Sequence, residues 1–118
     1  MIGTKTANAV LDNLFRAGVY VSLHQGPVGE DGAYEIIDPD GKYARQLAGF
    51  DVAADRMTTN SGTITFQNLP GVRLFDFGIW DAETGGTFLW GGSFDAERQL
   101  NAADTFQINP RGMKIYLK

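Results

Sequence analysis

Short apolar runs with a period of two, separated by turn-forming residues, constrain the fold of this chain more than any other feature. In the first run Val19, Val21 and Leu23 alternate with more polar residues, so one face of a strand is apolar. Runs of this kind, bounded by signals such as NLPG and NPRG, predict strands near residues 19–24, 34–37, 43–50, 63–67, 74–80, 87–94, 105–108 and 113–117. Seven or eight short strands without intervening helices predict a mainly β protein, an antiparallel β-sandwich or a small barrel.

One short helix is predicted ahead of the strands, over residues 6–17. Thr6 is placed to cap it and Gly18 to end it. Its apolar residues recur at the spacing of one helical face: Ala7, Val10, Leu11, Leu14 and Phe15. Such a short helix is marginal alone, so we expect it to pack on the strands. Residues 1–5 are then expected to form an N-terminal arm, within a single domain that covers residues 1–118.

Two polar segments predict turns or loops. DPDG, at residues 38–41, is typical of a tight turn in which Pro39 presets φ and Gly41 takes a positive φ. QGPVGEDG, at residues 25–32, predicts a loop of undetermined conformation.

Composition narrows the range of partners. The chain has 10 Lys and Arg against 14 Asp and Glu, a net charge of −4, and its basic residues are scattered singly. It therefore lacks the basic stripe that binds nucleic acid, and we expect no nucleic-acid partner. With no cysteine, it has no disulfide framework and no zinc–cysteine site. We also expect no membrane span and no signal peptide, because long apolar runs are missing.

The hairpin FGIWDAETGGTFLWGG, residues 77–92, contains both tryptophans. With residues 81–86 as the connection, the implied cross-strand pairs are Trp80 with Thr87, Ile79 with Phe88, Gly78 with Leu89 and Phe77 with Trp90. Cross-strand partners share a face, so one face is strongly apolar and is predicted to lie in the core. The predicted core residues are Val19, Val21, Leu23, Phe66, Phe77, Ile79, Phe88 and Trp90. The opposite face presents Trp80 and Leu89, which either anchor a subunit contact or lie beneath another element.

Residues capable of catalysis are sparse. His24 is the one histidine, and we interpret it as an ordinary residue near a strand end. Glu30 with Asp31, and Asp38 with Asp40, lie in turn-forming segments where acids are commonly solvated. DPDGKY lacks the spacing of a calcium loop, and no GxSxG elbow is present. We therefore expect no active site, no metal site and no cofactor.

A set of motifs resembles a family of small tailed-phage virion proteins. After the ANAVLDNLF helix come VYVSLHQGPVGEDGAYEI, GKYARQLAGF, SGTITFQNLPG, FDFGIWDAETGGTFLWGG and LNAADTFQINPRGMKIYL, which together span nearly the whole chain. Members of that family are variously labelled tail fibre, minor tail or head-decoration proteins. The resemblance implies a non-enzymatic structural protein of the virion. Ala103 stands where the family usually has glycine.

Three functions stay open at this point. A compact acidic domain without repeats suits a decoration protein that binds and stabilises the head shell, which is the reading favoured by composition. A minor tail or tail fibre component that contacts the host surface is the alternative. The third is a carbohydrate-binding β-sandwich, because sugar rings stack on exposed indole.

Apolar residues on predicted outer faces indicate how such a protein would make contacts. The hypothesised interface residues are Ile2, Tyr20, Tyr43, Arg45, Trp80 and Leu89, with Arg45 in an ion pair or at a contact rim. We expect the partners to be the major capsid protein or other virion proteins, together with further copies of this chain. The expected location is the virion, at the capsid surface rather than the tail, after synthesis in the bacterial cytoplasm.

Overall fold

The computed structural model of the protein describes residues 2–38 and 41–117. Within these residues the chain forms one helix and eight strands, in the order α1 (Thr4–Phe15), β1 (Val19–His24), β2 (Gln46–Ala48), β3 (Met57–Thr59), β4 (Ile64–Leu69), β5 (Arg73–Trp80), β6 (Phe88–Gln99), β7 (Asp104–Ile108) and β8 (Lys114–Tyr116). All the strand pairs are antiparallel. The predicted mainly β, antiparallel fold with one N-terminal helix is therefore confirmed.

The strands form a four-stranded sheet and two ribbons. The sheet has the order β2-β1-β5-β6, and the ribbons are β3-β8 and β4-β7. In the sheet Val21 pairs with Ile79, and Leu23 pairs with Phe77. These pairs share the inner face, and they form one apolar cluster with residues of the β4-β7 ribbon and of α1.

Most residues predicted for the core are buried. Exposure is at most 8% for six of them: Val19, Val21, Leu23, Phe66, Phe77 and Ile79. Trp90 is half-buried and packs against the cluster. Burying each such side chain stabilises the fold by about 1.5 to 3 kcal/mol before conformational entropy is subtracted.

Helix α1 begins earlier than predicted. It starts at Thr4 instead of after Thr6, and Gly3 occupies the N-cap position without a side-chain hydrogen bond. The predicted arm over residues 1–5 is therefore wrong for residues 4 and 5, which are helical; Met1 lies outside the described residues. The buried face of α1 consists of Ala7, Leu11 and Phe15. Gly18, at φ +83°, donates its N–H to the Phe15 carbonyl and ends the helix as predicted. In the described part of the chain, no helix is long and apolar enough to cross a bilayer.

The segment from residue 34 to residue 50 has less strand than predicted. At its start only an isolated bridge joins Glu35 to His24, because Tyr34 has φ +63°, a conformation foreign to a strand. Further along, the Asp38 carboxylate accepts the N–H groups of Lys42 and Tyr43. That turn removes these backbone groups from a ladder, so β2 is confined to Gln46–Ala48.

The tight turn predicted at DPDG includes Pro39 and Asp40, which lie outside the described residues. At its end Gly41 has φ +69°, and its N–H donates to the Asp38 carbonyl. Strand β3, in contrast, was not predicted from the sequence. It has only three residues, MTT, and pairs with β8.

The register of the β5-β6 hairpin differs from the prediction. Trp80 pairs with Phe88 and Ile79 with Trp90, so Leu89 is an extra residue of β6. A single extra residue inverts the alternation of faces. Phe88 was therefore wrongly placed in the core: it is half-buried and meets Trp80 edge to face, with ring centroids 5.2 Å apart. Leu89, predicted for the outer face, packs against the core cluster instead.

Candidate functional site

A line of hydrogen bonds runs under Trp80 on the outer face of the four-stranded sheet. The Trp80 Nε1–H donates to Ser22 Oγ at 2.8 Å, and Ser22 Oγ lies 2.6 Å from His24 Nε2. His24 Nδ1 lies 2.7 Å from the Ala33 carbonyl oxygen. Since a carbonyl only accepts, Nδ1 carries the proton and Nε2 accepts the Ser22 hydroxyl hydrogen. The neutral imidazole therefore completes a line in which every donor has an acceptor.

Gly78 leaves the space that this network occupies. It is the register partner of Ser22. A Cβ atom at Gly78 would lie 2.5 Å from Ser22 Oγ and 2.7 Å from His24 Nε2. The network thus depends on a glycine on the adjacent strand.

His24 and Ser22 are both fully buried, with 0% exposure. Burial lowers the pKa of His24 because the charged imidazolium would be desolvated, although the Ala33 carbonyl and nearby acidic groups oppose this effect. Protonation of Nε2 would also take away the acceptor of the Ser22 hydroxyl hydrogen. The geometry therefore favours neutral His24.

Acid is expected to destabilise the protein through His24. The folded-state pKa lies below the usual 6.5, so the unfolded chain binds the proton more tightly. Stability is then greatest above pH 6.5 and falls as the pH drops toward the folded-state pKa. The Tm of the wild type should decrease more steeply between pH 7 and pH 5 than that of His24→Asn. Equal slopes for the two proteins would contradict this role of His24.

Arg45 links the β5-β6 connection, residues 81–86, to Glu35, which follows the loop at residues 25–32. Its Nε and NH2 groups donate to the two carboxylate oxygens of Glu35 at 3.0 and 2.9 Å. Its NH1 group donates to the carbonyls of Ala82 and Gly85 at 3.0 and 2.8 Å. Both side chains are largely covered, with exposures of 9% for Arg45 and 23% for Glu35. Of the two roles predicted for Arg45, the structure shows the ion pair, with Glu35 as its partner. We call this set of contacts the Arg45 clamp.

Tyr43 joins the clamp at the same Glu35 carboxylate. Its hydroxyl donates to Glu35 at 2.8 Å and accepts the Leu23 N–H at 3.0 Å. Burial and the Glu35 charge raise the pKa of Tyr43. For Glu35, burial raises the pKa, but the hydrogen bonds from Arg45 and Tyr43 outweigh it, and the net pKa is lowered. The carboxylate is therefore ionised and the phenol neutral at ordinary pH.

Trp80 is covered by its neighbours. The Arg45 guanidinium lies 3.8 Å from the centroid of the indole ring. Phe88 meets the ring edge to face. Gly32 packs so closely against the six-membered ring that an added Cβ would lie 2.4 Å from one ring carbon. The indole is half-buried, and the guanidinium occupies one of the two ring faces on which a sugar could stack.

The other hypothesised interface residues do not form one patch. Tyr43 is half-buried and packs against the core cluster, as does Leu89. Tyr20 and Ile2 are half-buried. Tyr20 shares its face with Trp80 and with Leu47, whose side chain is 65% exposed. Leu47 was not among the predicted interface residues, although it is an apolar residue of the predicted strand at residues 43–50.

A groove of about 510 Å³ lies beside the first loop. It is lined by Gln25, Pro27, Tyr34, Phe75, Asp76 and Ser93, and we call it the Tyr34 groove. Asp76 is only 8% exposed, and its Oδ2 accepts the Val28 N–H at 2.8 Å. None of these residues was a predicted site residue, because the loop conformation that joins them was not predicted.

A larger groove of about 810 Å³, which we call the β6 groove, lies between β6 and the last two strands. Its charged lining residues are Asp95, Arg98, Arg111 and Lys114. The Arg98 guanidinium lies 5.2 Å from the centroid of the Phe106 ring, and Phe94 packs on the same ring at 5.4 Å. An acidic chain thus has a locally basic, aromatic surface.

Comparison with known families identifies the group to which these features belong. Residues 1–115 match the family model described as Podophage GP4 fiber I protein gp80. The chain belongs to this family. No curated protein gives a significant match. Membership in the podophage fiber I family confirms the resemblance to tailed-phage virion proteins and implies a location in the virion. The label of this family is that of a fibre, so it does not specifically support capsid decoration.

Proposed function

We propose that the protein is a non-enzymatic structural component of a phage fibre. The match to the fiber I family over residues 1–115 carries the proposal. The placement of the polar residues is consistent with it. Ser22, the hydroxyl next to the one histidine, is fully buried and already bonded to Trp80 and His24, so a substrate has no access to it.

A fibre component works through contacts with other virion proteins and with copies of itself, and these are the partners that we propose. The β6 groove offers a suitable surface. It combines the aromatic and arginine side chains that are enriched at protein interfaces. Head decoration has weaker support, because it rests only on the compact form and acidic charge of the chain. The carbohydrate function based on Trp80 also has weaker support, since Arg45 stacks on one face of the indole.

Gold labelling of intact particles with an antibody against this chain tests the proposal. We expect electron microscopy to show label confined to the tail region. Labelling with an antibody against the major capsid protein provides the matched control, which should mark the head of the same particles. Label spread over the head with the first antibody would overturn the fibre assignment and favour a decoration protein.

A further inference from the structure

We propose that the Tyr34 groove binds a single neutral sugar ring. The inference rests on the residues of the groove and not on the fibre assignment. Its volume of about 510 Å³ is within the range of pockets for small ligands. An aromatic ring, a carboxylate, an amide and a hydroxyl converge there.

Asp76 is the charged group that the lining of the groove offers to a ligand. It is 8% exposed, and its one hydrogen bond among the described residues is the Val28 N–H donated to Oδ2. A carboxylate has about four acceptor positions. No buried side-chain oxygen or nitrogen of the described residues lacks a partner, so the second carboxylate oxygen of Asp76 is open to the groove. Because Asp76 lines the groove, hydroxyl groups of a ligand can donate to its free oxygen.

Tyr34 supplies an apolar surface beside that carboxylate. Its side chain is 63% exposed, which makes it a large aromatic residue at the surface. One side of the ring lies so close to Gly26 that a Cβ there would be 2.9 Å from the ring. The backbone at Tyr34 has φ +63°, a strained conformation for a non-glycine residue. A ring that is packed on one side and open on the other suits stacking against the C–H face of a sugar.

The charge of the groove selects the class of sugar. Asp76 is the charged residue in its lining, and no lysine or arginine lines it among the described residues. A sugar acid or a sugar phosphate would therefore be repelled. Gln25 and Ser93 each carry both a donor and an acceptor. Hydroxyl groups satisfy both, whereas an ammonium ion, which only donates, leaves their donors unpaired.

Saturation-transfer NMR with the full chain tests the proposal directly. The probes are glucose, galactose, mannose and N-acetylglucosamine, with glucuronic acid as the anionic comparison and lysine as the cationic one. We expect transfer to at least one neutral sugar and none to glucuronic acid. Transfer to none of the four neutral sugars would overturn the proposal. Transfer to lysine alone would also overturn it, in favour of a cation site.

Substitutions place the binding in the groove. Tyr34→Ala and Asp76→Asn should each weaken the binding of the responding sugar by about tenfold. Tyr34→Phe keeps the ring and should bind as the wild type does. Tyr116→Ala is the matched control, because Tyr116 is another exposed tyrosine, at 52%, that lines the β6 groove instead. Loss of binding in Tyr116→Ala but not in Tyr34→Ala would place the site elsewhere and contradict the proposal.

This experiment and the gold labelling fail independently. Sugar binding is measured on the isolated chain, whereas labelling measures position on the particle. A decoration protein with a sugar site, or a fibre protein without one, would be recognised as such.

Discussion

Gly78→Ala is expected to destabilise the protein by about 3 kcal/mol, through overpacking and the loss of buried hydrogen bonds. The new Cβ would lie 2.5 Å from Ser22 Oγ and 2.7 Å from His24 Nε2. Both side chains belong to the buried line under Trp80, so relief requires β1 and β5 to separate or the line to break. Urea denaturation followed by tryptophan fluorescence measures the change in the free energy of unfolding.

Gly62→Ala is the matched control for that substitution. Nothing lies within 4 Å of a Cβ at Gly62, and its φ is not in the left-handed region. Alanine there should leave stability unchanged or raise it slightly, by about 0.4 to 1 kcal/mol, because the unfolded chain loses conformational freedom. If Gly78→Ala were as stable as Gly62→Ala, the tight packing of the network would be refuted.

Arg45→Met is expected to reduce the free energy of unfolding by about 3 kcal/mol, since it leaves a largely covered Glu35 carboxylate without its charged partner. It also removes the two hydrogen bonds to the hairpin connection and the cation stacked on Trp80. Thermal and urea unfolding measure the loss. A double substitution with Glu35→Gln should recover part of it, because the unpaired charge is then gone.

The same substitution should change the response to acid. The lowered pKa of Glu35 contributes stability that is present above the usual pKa of 4.5 and is lost as the pH falls through the folded-state pKa. Arg45→Met should flatten this acid-side loss. Arg73→Met is the control: its pair with Glu97 is 3.9 Å long and more than half exposed on both sides, and it should change stability by less than about 1 kcal/mol. Equal losses in the two variants would show that the Arg45 clamp is no stronger than a surface pair.

The strands and most of the core could be predicted because they rest on local alternation. Val19, Val21 and Leu23 lie on one face of β1 for the reason that any period-two strand puts them there. The hairpin shows where this reasoning stops. Next to the bulge at Leu89, Gly91 and Gly92 admit neighbouring rings: a Cβ at Gly91 would lie 2.7 Å from Phe88, and one at Gly92 would lie 2.8 Å from Phe77. A register derived only from the length of the turn takes no account of these contacts between glycines and aromatic rings.

The Arg45 clamp and the Tyr34 groove could not be predicted from local sequence patterns, for a different reason. Glu35 meets Arg45, and Asp76 meets Val28, only because residues 25–37 take an irregular path that no short motif specifies. Backbone positions at which a residue other than glycine has a positive φ were likewise not predicted from the sequence. Ala103 has φ +68°, which accounts for the glycine that the family usually has at that point. The sequence shows that alanine replaces the usual glycine, but only the structure shows that this position has a positive φ.

The strand order has a consequence for synthesis on the ribosome. β1 precedes the other strands of its sheet in the chain, yet it lies inside the sheet, where Tyr20 pairs with Leu47 on one side and with Trp80 on the other. It cannot complete its hydrogen bonds until β5 has emerged, and β5 in turn waits for β6. Between the synthesis of β1 and that of β5, the nascent chain therefore carries an apolar strand with one unpaired edge, which exposes it to aggregation. Folding of this sheet is completed only after β6, which contains the second tryptophan, has been synthesised.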